Sequence, residues 1–209
     1  GREFFPTRTN ISYTATGNVS TASAFVLRGA EGGVSPKIFH MYTQLPSTLP
    51  QRVASLARQL TVDYDNVFDK AKAIERYLNT LTYNLDISAP PEGRDGVDYF
   101  LFDLKQGYCD YYASAMTVML RTLGIPARYV LGYATGQYDA NAENWQVLQL
   151  NYHSWVEVYH GDLGWIRYEP TPAVGIEFGG VDNPAAPTDV VVDPTDFGDG
   201  PFPEDDDGD

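Results

Sequence analysis

Cysteine occurs once in the 209 residues, as Cys109 in QGYCDYYAS (106–114). A lone cysteine is often just a small buried hydrophobe, but this one has a setting suited to chemistry. Asp110 to Leu123 reads as a helix with Ala113, Met116, Leu120 and Leu123 on its inner face. Cys109 therefore stands at a helix start, where unpaired N–H groups and the helix dipole favour the thiolate, the nucleophilic form. A thiol nucleophile also needs an imidazole to take its proton and return it to the leaving group. A third group must hold that imidazole in the useful tautomer.

Three histidines are available. His40 precedes the helical region and has no acidic residue on a recognisable adjoining strand. His160 falls at the end of a hairpin strand and is expected to be exposed. His153 opens the strand-like run HSWVEVYH (153–160), with Trp155, Glu157 and Tyr159 on its own face. The next run, GWIRYEP (164–170), returns antiparallel, so the hairpin brings Glu169 toward His153. Glu157 is a poorer partner, because four residues along one strand span about 13 Å. The candidate set is therefore Cys109, His153 and Glu169. The Cys109 backbone N–H is the natural first donor to a developing oxyanion. Gln106, Tyr108 and Trp155 are candidates for the second. Tyr108, Tyr111, Tyr112 and Tyr152 are candidates to line an acyl groove, although aromatics at these spacings are more often core or rim packing.

The elements that must position these residues follow from periodicity. After Leu45-Pro46 the chain turns helical. Pro50 suits a first helical position, and Val53, Leu56, Ala57 and Leu60 form one apolar face. Asp65 is a candidate cap for a second helix, with Val67, Ala71, Ile74 and Leu78 inward. SAPPEGRDGVD (88–98) reads as a loop, and YFLFDL (99–104) is ambiguous. Gly124 is a plausible residue just past the nucleophile helix, which Ile125-Pro126 then stops. ARYVLGYA (127–134), WQVLQL (145–150), HSWVEVYH and GWIRYEP read as four strands, with Gly161 to Gly164 as a hairpin loop. Earlier, ISYTAT (11–16) and SAFVLRG (23–29) also look β-like. Helices followed by an antiparallel sheet argue an α+β fold.

Composition narrows the function classes. Of 28 acidic residues, ten lie from Asp182 onward, where no basic residue occurs. The remainder holds 18 acidic and 14 basic residues, a net charge of −4 out of −14 overall. A nearly balanced body with no basic patch does not suit a nucleic-acid partner. No run of about 18 apolar residues is present to cross a membrane as a helix. No Cys/His cluster has zinc spacing, and no glycine-rich phosphate loop follows a strand, so neither a metal nor an organic cofactor is implied. The chain begins at Gly1 and its first methionine is Met41, which reads as a segment of a longer protein.

Three separated blocks, GYCDYYASAMTVMLRTLGIPARYVLGYATG, HSWVEVY and GWIRYEPTPA, occur in an order that resembles the transglutaminase-like superfamily. The likeness is to its bacterial extracytoplasmic, membrane-anchored type. The resemblance covers residues 42–178. It implies a papain-like α+β fold with a Cys-His-Asp triad, which falls on Cys109, His153 and Glu169. At the last position the chain departs from the commonest residue, Asp, by one methylene. Three parts are expected: an N-terminal β-rich extension (1–41), a transglutaminase-like catalytic domain (42–178) and an acidic Pro/Gly/Asp-rich tail or linker (179–209). The resemblance further implies an extracytoplasmic location, tethered through segments of the parent protein.

Three functions remain open at this point. The first is acyl transfer from a protein glutamine to a primary amine through a thioester. The second is hydrolysis of a peptide, isopeptide or cell-wall amide by the same residues. The third is a non-catalytic extracytoplasmic binding module. The partners implied by the first are a glutamine-bearing protein or peptide and an amine acceptor, with no nucleic acid.

Overall fold

The structure, a computed structural model, describes residues 20–30 and 32–172. The run ISYTAT and the acidic tail lie outside them. Two compact units are present, and within the described residues the second is the excursion Tyr133–Tyr152.

The larger unit opens with two short helices, α1 (Ala24–Arg28) and α2 (Pro36–Tyr42). The β-like reading of SAFVLRG is thus corrected to a helix. The Ser23 hydroxyl accepts from the Val26 N–H and starts the turn, and Arg28 reaches Asp69 at 3.0 Å. In α2, Ser35 caps and Pro36 takes the first turn. Helix α3 (Gln51–Thr61) starts just after Pro50 and buries Val53 and Ala57 fully. Helix α4 (Val67–Leu78) buries Ala71, Ile74 and Leu78. Its cap is Asn66 rather than Asp65: Asn66 Oδ1 accepts from the Asp69 N–H at 2.8 Å.

A two-residue strand β1 (Thr82–Tyr83) leads to a short helix α5 (Gly96–Tyr99), which widens into a π-turn over Phe100–Leu104. This settles the ambiguous YFLFDL: Phe100 and Leu101 are fully buried, and Lys105 ends the turn in a left-handed conformation (φ 54°). Arg52 on α3 holds this segment. Its guanidinium binds Asp98 at 2.5 Å and Asp103 at 2.9 Å, and Arg94 binds Asp103 at 2.7 Å. Strand β2 (Gln106–Gly107) then pairs in parallel with β1 and delivers the chain to α6 (Cys109–Thr122). Gly107 is required by close approach, since a Cβ there would lie 2.9 Å from the Tyr111 Cβ.

Helix α6 is the centre of the unit. Tyr112, Ala113, Ala115, Met116, Met119 and Leu120 are fully buried against α3, α4 and the π-turn. Full burial of each large apolar side chain contributes about 1.5–3 kcal/mol, which makes α6 the best anchored element. Gly124 (φ 72°) follows the helix, and the Ile125 N–H returns to the Leu120 carbonyl at 3.1 Å.

After the helices comes a three-stranded sheet in the order β3 (Ala127–Tyr133), β6 (Tyr152–Tyr159), β7 (Trp165–Tyr168). Strands β6 and β7 are antiparallel, with Val156 opposite Tyr168 and Tyr159 opposite Trp165. Val156 and Val158 point into the core. On the other face Arg128 pairs with Glu157 at 2.7 Å and lies over the Trp165 ring at 4.3 Å. The hairpin loop is a 3₁₀ turn, Gly161–Leu163. The architecture is the expected α+β, with the nucleophile helix packed on an antiparallel sheet.

WQVLQL does not supply a fourth strand to that sheet. In the smaller unit β4 (Gln137–Asp139) pairs, among the described residues, only with β5 (Asn144–Gln146). Asp139 closes their turn by accepting from the Asn141 and Ala142 N–H groups. Asn151 then takes the Leu148 N–H at 2.8 Å and curls the rest into a 3₁₀ turn, a side-chain bond that competes with the strand ladder.

Candidate active site

Cys109 is the first residue of α6 and only 8% exposed. Its N-cap, Tyr108, makes no side-chain capping bond. The first backbone N–H groups of a helix have no intrahelical partner, so the turn that carries the thiol is also a source of uncommitted donors and positive dipole.

His153, at 1% exposure, sits near the start of β6. Its Nε2 lies 2.9 Å from Glu169 Oε2. The start of α6 reaches the same strand, since the Ser154 hydroxyl, next to His153, donates at 2.8 Å to Asp110, next to Cys109. Burial pulls the imidazole pKa down, but the bonds and charges of Cys109 and Glu169 outweigh it and push it up to about 9. The structure thus brings His153 and Glu169 into contact on the hairpin, and it places Cys109 at the start of α6 beside the strand that carries His153.

The hairpin register explains how a glutamate serves here. The ladder ends at Val156–Tyr168, and extending its register would set Thr171 against His153, with Glu169 two residues away on the diagonal. Diagonal neighbours lie about 7–8 Å apart, within reach of a long side chain. The carboxylate is also fixed at its other oxygen: Glu169 Oε1 accepts from the Thr171 N–H at 3.1 Å. The Glu169 backbone is held in turn, its N–H donating to Glu75 Oε1 at 3.0 Å. Glu75, on α4 and 6% exposed, is paired with Lys72.

Sequence reasoning passed over Glu75, although its position signals it. It stands four residues after Ala71, on the inner stripe of α4, where a charge needs a reason. Asp110 was read only as a helix starter. Its Oδ1 accepts from the Tyr129 hydroxyl and from the Ser154 hydroxyl, both at 2.8 Å, and lies 3.7 Å from Cys109 Sγ. Its position beside the cysteine was the available signal.

The remaining candidates separate. Gln106 Oε1 accepts from Asn84 Nδ2 at 3.3 Å. Trp155 lies against Gly132 and under Arg167, 4.7 Å from the guanidinium, and its indole N–H is buried with no hydrogen-bond partner among the described residues. Tyr108 meets Tyr111 edge-on, with ring centres 5.1 Å apart. Those two tyrosines, with Asp110, Ser114, Leu49 and Val97, line an open groove of about 450 Å³ beside the start of α6. Tyr112 is instead fully buried in the core, and Tyr152 packs on Tyr133 in the smaller unit.

His160 is not exposed, contrary to expectation. It is 2% exposed, with Nε2 3.0 Å from the Tyr168 hydroxyl, and burial pulls its pKa down to about 4. It is a neutral core histidine. His40 is exposed on α2. Among the described residues no cluster of three or more metal-ligating side chains occurs, and no helix is long and apolar enough to cross a membrane.

A cysteine at a helix N-terminus, packed on an antiparallel sheet that carries a carboxylate-bound histidine, is the arrangement of cysteine-nucleophile enzymes of the papain and transglutaminase type. The chain belongs to the transglutaminase-like superfamily, whose sequence profile matches residues 54–170. It is 50% identical over 137 residues to YebA of Bacillus subtilis (strain 168), a match covering 62% of this chain and 19% of YebA. It is 34% identical over 147 residues to a protein-glutamine gamma-glutamyltransferase of Pseudomonas aeruginosa, covering 70% of this chain and 22% of that protein. The chain therefore spans about a fifth of these relatives. Among solved structures it is similar to the periplasmic domain of TgpA from Pseudomonas aeruginosa bound to ethylmercury. That match has a TM-score of 0.59 at 34% identity, covering 67% of this chain and 50% of that one. The extracytoplasmic character inferred from the sequence agrees with it.

Proposed function

We propose that this chain is a protein-glutamine acyl transferase that works through a thioester on Cys109. The observation that supports the reading is His153 bound to the Glu169 carboxylate at 2.9 Å, on the strand that Asp110 ties to the cysteine-bearing start of α6. His153 takes the thiol proton, and Cys109 Sγ forms a bond to the carboxamide carbon of a glutamine side chain. The oxyanion is met by the Cys109 N–H and a second donor. His153 returns the proton to the nitrogen, the C–N bond breaks and ammonia leaves. A primary amine then attacks the thioester and gives up a proton to His153. The sulfur departs and is reprotonated, leaving an isopeptide bond. Glu169 holds the Nε2–H side of the ring throughout, so that Nδ1 faces the sulfur.

The relative that bears a glutamyltransferase name supports acyl transfer over hydrolysis for this chain. By the same likeness the full-length protein is proposed to hold this domain outside the cytoplasm, tethered to the membrane. The test is a paired assay of wild type and Cys109→Ala, following ammonia release and incorporation of a labelled primary amine into casein. Cys109-dependent incorporation is expected. Cys109-dependent ammonia release without incorporation would replace the reading with a hydrolase, and activity that survives the substitution would overturn it.

A further inference from the structure

The Asp110 carboxylate is unused in the chemistry above, yet it touches three elements of the site. Asp110 is the second residue of α6. Its Oδ1 alone gathers the Tyr129 hydroxyl from β3, the Ser154 hydroxyl from β6 and, more distantly, the Cys109 thiol. Ser154 follows His153 directly and is fully buried. A buried hydroxyl that loses its acceptor is costly, so this bond is a firm restraint. It matters because Tyr108 leaves the start of α6 without a side-chain cap. The apolar packing of Tyr112, Ala113 and Met116 fixes the helix further along, one turn away from the thiol.

We propose that Asp110 is a positioning residue: its Oδ1 ties the first turn of α6 to β3 and β6 and so sets the distance between Cys109 and His153. The proposal rests on the roles given to that pair above. The carboxylate acts as a shared acceptor, and its charge is secondary. An asparagine retains a carbonyl oxygen for both hydroxyls, whereas an alanine leaves Ser154 buried without a partner.

The experiment uses two readouts on the whole chain. One is turnover with separate kcat and KM. The other is the pH dependence of iodoacetamide alkylation, which reports on Cys109 alone because it is the sole cysteine. Asp110→Asn is expected to stay within about threefold of wild type in both. Asp110→Ala is expected to lose about 100-fold in kcat at unchanged KM, the scale of a misplacement of about 1 Å. Its alkylation should also lose the fast component that depends on His153. Tyr129→Phe/Ser154→Ala should reproduce the loss, and adding Asp110→Ala to it should cost no more than about another twofold, since the three groups act as one restraint.

A protein merely destabilised by Asp110→Ala would show a lower Tm without a changed alkylation profile in its folded fraction. Normal alkylation and turnover in Asp110→Ala would overturn the proposal. So would equal damage from Asn and Ala, or losses that multiply. Persistence of turnover in Cys109→Ala would instead strike the underlying reading, and the alkylation arm would still report on the restraint.

Discussion

Glu169→Asp restores the commonest residue of the superfamily at this position, and it is expected to damage this protein. The side chain shortens by one methylene, about 1.5 Å. The backbone has little freedom to follow, because the Glu169 N–H is held by Glu75 at 3.0 Å and Pro170 fixes the next φ. The 2.9 Å contact to His153 Nε2 would therefore open to roughly 4 Å, beyond hydrogen-bond range. A misplacement of that size costs about 100-fold in rate. Glu169→Gln keeps the length but loses the charge and allows the wrong imidazole tautomer, for which a loss of up to about 10⁴-fold is the expected scale. Both variants also remove influences that push His153 up to about 9 while leaving its burial intact, so its pKa should fall. The assay is kcat/KM for ammonia release against pH, with the His153 titration followed by NMR. The basic limb, where the imidazolium is lost, should move to lower pH in both variants. An aspartate variant as active as wild type, with its basic limb unmoved, would refute the argument that reach and backbone restraint select glutamate here.

Removing the second-layer carboxylate by Glu75→Leu should cost about 1–3 kcal/mol in stability, because the Glu169 N–H loses its acceptor. It should also lower kcat more than it raises KM, as measured by urea melts beside kinetics. Arg52→Ala leaves Asp98 buried without its main partner, whose hydrogen bond holds that carboxyl below its usual range. The loss is readable as a drop in urea midpoint that Asp98→Asn partly restores. Stability against pH should be dome-shaped. His153, raised to about 9, contributes fully below about 6.5 and loses its contribution as pH rises toward 9. His160, lowered to about 4, contributes above about 6.5 and loses it as pH falls toward 4. His153→Gln should flatten the alkaline side and His160→Gln the acid side of urea midpoints measured across that range.

The helical half of the fold was legible because its signal is local. The stripes on α3, α4 and α6 repeat at the helical period, and Gly124-Ile-Pro126 ends α6 where expected. The hairpin was legible for the same reason, since its antiparallel return points Glu169 toward His153, where the contact is 2.9 Å. What failed shares a different cause. SAFVLRG became helical through one serine cap and an ion pair to Asp69, 41 residues away. WQVLQL was curled by the Asn151 side chain. His160 looked exposed at the hairpin end, yet Tyr168 and the core enclose it. In each case a single polar contact, or burial supplied by a distant element, overrode the local pattern.

The same reasoning explains why the carboxylates around the candidate site stayed hidden while the candidates Cys109, His153 and Glu169 did not. Cys, His and Glu are rare enough in combination, and placed regularly enough on a helix start and a hairpin, that chemistry alone could select them. Glu75 and Asp110 do no bond-making in the proposed reaction. They hold, respectively, the backbone of Glu169 and the hydroxyls of Tyr129 and Ser154. Their importance depends on distances between α4 and β7 and between α6 and the sheet, which no one-dimensional spacing encodes. Both nevertheless left a mark that can be sought elsewhere. Each is a carboxylate in a helix position where a solvated charge is not expected: one on the apolar stripe of α4, the other directly beside the nucleophile at a poorly capped helix start. A carboxylate that keeps such a position has a buried donor to satisfy. In this fold the donors are the Glu169 N–H for Glu75 and the Tyr129 and Ser154 hydroxyls for Asp110.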